Sequence, residues 1–175
     1  NRTGFAPYEA VSLELLTKNV ETLIVKVFEI NTDSYYRERL DEVDTDINLD
    51  GLVANDESTY KYDDPPLRRM RRRFDFPALN QRGVYVIDFI GNGISSRALI
   101  RKGRLQHVVR TSTAGHIFSV LDENNQQVKD ATLWLAGRLY QPDKTGQIAV
   151  PFSNRPGWTK LVLSHDGFSS LDRFL

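Results

Sequence analysis

Residues 83–105, GVYVIDFIGNGISSRALIRKGRL, constrain this chain more than any other stretch. They hold two apolar runs, 84–90 and 94–100, separated by Gly91-Asn92-Gly93. Asn-Gly between apolar runs is the strongest short-range signal for a β-hairpin. Both residues reach positive φ at little steric cost, so the chain can reverse and pair with itself. The hairpin runs into Arg101-Lys102-Gly103-Arg104, which is charged, contains a glycine and offers almost nothing to bury. We read those residues as a linker. One sandwich then spans residues 1–103 and a second spans 104–175.

The flanking sequence supports strands on both sides. Val11, Leu13 and Leu15 alternate with polar residues, the period of a half-buried strand. Residues 23–30 are apolar on nearly every position and read as a central strand. Asn31-Thr32-Asp33-Ser34 offers helix N-caps, and 35–40 (YYRERL) predicts a short helix in the first sandwich. Only tertiary contacts can hold a helix that short. Ile47 and Leu49 alternate with polar residues and predict a short strand, followed by a loop to Pro65-Pro66. In the second half, strands are expected at 106–112, 116–121, 131–136, 147–152 and 160–165, with turn residues between them. This short, regular spacing predicts an antiparallel sandwich rather than a βαβ fold. The fold class is therefore all-β: two tandem sandwiches of immunoglobulin or fibronectin type.

At 175 residues the chain is long enough for two small cores. Its formal net charge is zero, so the whole molecule has no bias toward nucleic acid or an anionic membrane. No run reaches the ~18 apolar residues of a membrane-spanning helix, and neither partner is expected. It contains no cysteine, which excludes disulfides, thiolate metal sites and a cysteine nucleophile. The absence of an initial Met and the abrupt ends suggest a piece of a longer protein.

Three features could carry chemistry. Asp46, Asn48, Asp50, Gly51 and Glu57 satisfy a calcium-loop pattern, with oxygens at the right intervals and a glycine at the sharp turn. The apolar Ile47 and Leu49 and the Pro-Pro that replaces an exit helix argue for a strand and surface loop without structural calcium. Residues 68–73 hold five arginines; those between 41 and 64 hold nine acidic ones. We expect the arginines to form a solvated strand that neutralises the acidic segment rather than a polyanion site. His107, His116 and His165 show no metal-ligand spacing, and no nucleophile-elbow motif occurs. No catalytic, cofactor or metal site is expected, and the chain is not expected to be an enzyme. Trp134, Trp158 and Tyr140 could form a sugar platform, although packing is the commoner fate of a tryptophan within an apolar strand.

Gly83-Val84-Tyr85 closes the first unit. Val120-Leu121-Asp122, then Val128-Lys129-Asp130-Ala131, then Asp143-Lys144-Thr145-Gly146 before Ile148-Ala149-Val150 pace the second. On these residues the chain resembles two consecutive macroglobulin-type domains of the bacterial alpha-2-macroglobulin family. Gln127 stands where that pattern commonly has proline, and the thioester motif Cys-Gly-Glu-Gln is absent. The resemblance implies a non-catalytic scaffold within a large secreted, periplasmic or cell-surface protease-trapping protein. Its partners would be other domains of the same chain and a target protease. The alternative is an adhesin or carbohydrate-binding module that uses the tryptophans.

Overall fold

The computed structural model describes residues 2–175. The chain forms two compact units, one from residues up to Ile30 plus Val43–Lys102, the other from Asn31–Glu42 plus Gly103–Leu175. In the first, β1 (Gly4–Phe5), β7 (Ile94–Lys102), β6 (Gly83–Gly91), β3 (Thr22–Ile30) and β4 (Asp56–Lys61) form a five-stranded sheet in that order. A two-stranded sheet of β2 (Ser12–Lys18) and β5 (Arg69–Asp75) completes the layers. Leu13 and Phe74 from the small sheet share one core with Val25, Ile87 and Ile100 from the large one. Every strand pair in this unit is antiparallel except β1 with β7, where Gly4 pairs with Arg101.

Asn92 at φ 52° and Gly93 at φ 73° turn the β6–β7 hairpin, as the sequence requires. Asn92 Nδ2 also donates to the carbonyl of Asn19, 2.5 Å away. The division between the units falls between Lys102 and Gly103, inside the stretch expected as a linker, but residues 101 and 102 are strand and not linker. Lys102 is the last residue of β7 and only 1% exposed. Its ammonium donates to the carbonyl oxygens of Glu9 and Leu79, and burial pushes its pKa below the usual lysine range against the pull of Glu9. A charge count could not reveal this, because an aliphatic stem with two carbonyl acceptors makes lysine a buryable residue.

The expected strand at Ile47 and Leu49 is absent. Residues 43–55 are a loop that turns twice, with Ile47 N–H donating to Asp44 O and Leu52 N–H to Leu49 O. Val43 and Leu49 are buried as anchors. Arg97 donates to the carbonyls of Thr45 and Ile47 (3.2 and 2.6 Å), and Arg101 to that of Val43 (2.5 Å). Those arginines share the face of β7 that carries Leu99, so the loop covers the second face of the large sheet. That explains why β6 reads as a nearly unbroken apolar run.

The second unit pairs a four-stranded sheet, β11 (Arg138–Tyr140), β10 (Thr132–Leu135), β13 (Thr159–His165) and β14 (Phe168–Phe174), with a three-stranded one, β12 (Gln147–Val150), β9 (Gly115–Leu121) and β8 (Gln106–Ser112). All of its strand pairs are antiparallel. Phe118, Leu133, Ile148, Leu161 and Leu163 are fully buried between them. Two turns use one device. Asp122 Oδ1 accepts the N–H groups of Asn124 and Gln126, and Asp143 Oδ1 those of Thr145 and Gln147. Asn125 (φ 60°) and Gly146 (φ 83°) take the left-handed position in each turn. Gln127, the departure from proline, donates through Nε2 to Thr145 O at 2.9 Å and so ties one turn to the other.

The helix α1 (Thr32–Arg39) belongs to this second unit, not the first as expected. Asn31 caps it through Ser34 N–H (3.1 Å), and Leu40 ends it in the left-handed region. Thr32 Oγ1 accepts Ser169 N–H at 3.0 Å, and Lys160 donates to Leu40 O at 2.7 Å. Its placement rests on those partners, which lie about 130 residues downstream, beyond the reach of any local pattern.

Candidate functional site

A well-formed concavity lies within the first unit, where the five-stranded layer overhangs the two-stranded one. Alternation along β3 puts Leu23, Val25 and Val27 in the core and carries the next residue of that face, Glu29, to the open end. β4 continues the sheet beyond β3 and turns Asp56, Ser58 and Tyr60 to the same side. The segment from Asp75 to Gln81 forms the far wall. Together they enclose about 400 Å³, within the ordinary range for ligand sites.

The floor is apolar: Val25, Val27, Leu79 and Tyr85 are all buried. The rim is acidic, with Glu29, Asp56 and Asp75, and no lysine or arginine lines the cavity. Asp75 is paired with Arg73 at 3.2 Å, and Asp56 Oδ1 accepts Glu57 N–H at 3.0 Å. Asn55 Oδ1 holds the Glu29 N–H at 2.8 Å and fixes the strand end. Burial, and secondarily the Glu29 charge, raise the Tyr85 phenol above its usual pKa, so it stays neutral and donates to Gln81 O at 3.3 Å. A cationic or amphipathic group fits this chemistry; an anion does not.

Sequence reasoning missed this site. β4, DESTYK, has no apolar alternation, because its inward residues face an open groove instead of a core. An Asp-Ser-Tyr stripe at period two was the available signal, and it is a weak one.

The calcium-like residues do not converge. Asn48 Oδ1 accepts Asp50 N–H at 2.9 Å, and Glu57 lies in β4 facing away from the groove. Among the described residues, no group of three histidine or carboxylate side chains is placed to hold a metal. The arginine strand divides by parity. Arg72 turns inward, pairs with Asp64 of the acidic segment and stacks on Tyr62 at 3.8 Å. Arg69, Arg71 and Arg73 are exposed, with Arg71 near Glu14 at 3.9 Å. The acidic loop is held instead by Arg97 and Arg101, a role its charge pattern did not assign.

His107 Nδ1 lies 2.7 Å from Asp172 Oδ2, and its ring packs on Phe118 and Phe174. His116 packs between Phe152 and Phe174. His165 lies near Asp130 and Asp166. Trp134 is half-buried in β10, whereas Trp158 stands 70% exposed in a loop; Tyr140 is half-buried beside Arg138.

The architecture is that of two immunoglobulin-like β-sandwiches. Residues 23–103 match a family model described as the first immunoglobulin-like domain of AbpF. The chain is 39% identical over 181 residues to Actin-binding protein F of Dictyostelium discoideum, covering 99% of this chain and 8% of that protein. It thus spans about 8% of the length of the curated relative that it matches. Among solved structures, native alpha-2-macroglobulin of Escherichia coli spanning domains NIE-MG1 is similar at TM-score 0.52 and 14% identity, covering 97% of this chain and 92% of that one. A second, spanning MG0-NIE-MG1, gives TM-score 0.53 at the same identity and covers 61% of that chain. The macroglobulin resemblance therefore holds at the level of the fold.

Proposed function

We propose that this chain is a non-catalytic tandem immunoglobulin-like module of a long protein related to Actin-binding protein F, and that it positions other parts of that chain. The observation that carries this is 39% identity along 99% of the chain with so small a fraction of the relative. Two separate cores support a structural role. Other domains of the same chain are its first partners, and actin is the partner of the whole protein. Protease trapping in a secreted or periplasmic protein draws only on the shared fold, since 14% identity carries no function. A sugar-binding role draws only on the exposed Trp158.

The test replaces residues 1–175 in the long protein with an unrelated pair of β-sandwiches. Filament co-sedimentation is expected to persist. Its loss, together with saturable pelleting of the isolated module with actin filaments, would make the module a filament contact and overturn the structural assignment.

A further inference from the structure

We infer that the acidic groove beside β4 is a docking site for an extended basic peptide, which adds to β4 as a further strand and turns alternate side chains toward the mouth of the cavity. Three independent features converge on that occupant. The first is an open edge. β4 ends the sheet order β1-β7-β6-β3-β4, so among the described residues nothing pairs with its outer side. The Tyr62 N–H donates to Glu21 O at 2.8 Å, which fixes the hydrogen-bonding parity of the β3–β4 ladder. Residues 56, 58 and 60 therefore bond to β3, and the backbone groups of Glu57, Thr59 and Lys61 point outward. Asp56 occupies the Glu57 N–H. Thr59 and Lys61 leave theirs to a partner, the arrangement that strand addition uses.

The second feature is the cavity directly beneath that edge. A strand laid along β4 continues its pleat one strand further out, so every second side chain of the peptide lies beside Asp56, Ser58 and Tyr60, and a long one reaches past them into the mouth of the cavity. The third is charge. Glu29, Asp56 and Asp75 surround the opening, and among the described residues only Asp75 of the three has a basic neighbour at salt-bridge distance. A lysine or arginine side chain on the peptide satisfies this rim; an acidic peptide is repelled. This goes beyond the structural role proposed above and does not depend on it.

The probe is a fluorescein-labelled octapeptide in which the odd positions are alternately valine and lysine and the even ones are threonine, so that one face carries both, with glutamate in place of lysine as control. Fluorescence polarisation is expected to show saturable binding of the basic peptide and none of the acidic one. Affinity should fall about tenfold when salt is raised from low to molar concentration. In amide-correlation spectra of the native protein, shifts should cluster in residues 25–29, 55–61 and 75–85. Glu29→Lys with Asp56→Lys should abolish binding. Thr59→Pro, which removes an outward N–H that β3 does not use, should weaken it at least about tenfold. Melting curves establish that each variant is folded, and the native-protein spectra decide the matter should a variant fail to fold. Equal binding of both peptides, shifts elsewhere, or unchanged affinity in folded Thr59→Pro would each overturn the proposal.

Discussion

At the scale of single residues, Lys102 shows how a charge becomes structural. Its two acceptors, Glu9 O and Leu79 O, belong to chain segments outside the regular sheets. Lys102→Met keeps most of the volume and strands both carbonyls. The first unit should lose about 1–3 kcal/mol, read as a lower urea midpoint. Asp172 gives a pH signature. Burial raises its pKa, but the His107 hydrogen bond and the Arg173 N–H outweigh that, and the net shift is downward from 3.8. A carboxylate with a lowered folded pKa contributes stability above pH 3.8, and that contribution is lost as pH falls through the folded value. The advantage of the native protein over Asp172→Asn, measured by urea unfolding, should be full at pH 5 and shrink steadily below about pH 3.8.

At the scale of elements, α1 and the 43–55 loop make the same point from opposite sides. Asn31 and the αL residue Leu40 define the helix ends locally. Where it docks is fixed by Tyr36, 2% exposed, and by bonds to Ser169 and Lys160. Tyr36→Ala should cost about 3 kcal/mol. Hydrogen exchange should show faster amides in β13 and β14 while β3 and β6 keep their protection. The loop imitates a strand in sequence because Leu49 is an anchor beneath it, not one step of a pleat. Two turns and three carbonyls held by Arg97 and Arg101 give it a definite path without a ladder partner.

At the scale of the molecule, the chain closes one core at Lys102 and builds another from Gly103, after lending Asn31–Glu42 to the second unit. Its charges balance over the whole chain but not locally. The exposed Arg68 follows the loop containing Pro65-Pro66, whereas Lys102 is inaccessible. Brief native trypsin digestion should therefore cut after Arg68 before any cut after Lys102, as mass spectrometry of the fragments will show. An early cut after Lys102 would mean that its side chain is not held as described.

The sequence alone determined the class of the fold. Period-two patterns, the Gly91-Asn92-Gly93 turn and the paired Asp122 and Asp143 turns are local features, and local sterics and hydrogen bonding decide them. Tertiary structure decided whatever depends on partners far along the chain: the burial of Lys102, the unit to which α1 belongs, and the parity split of the arginines between Asp64 and solvent. It also made the groove, because a cavity is an absence of packing between layers of unequal width, and no residue type encodes an absence. Hydrophobic periodicity reports which face is buried, but not what lies against it.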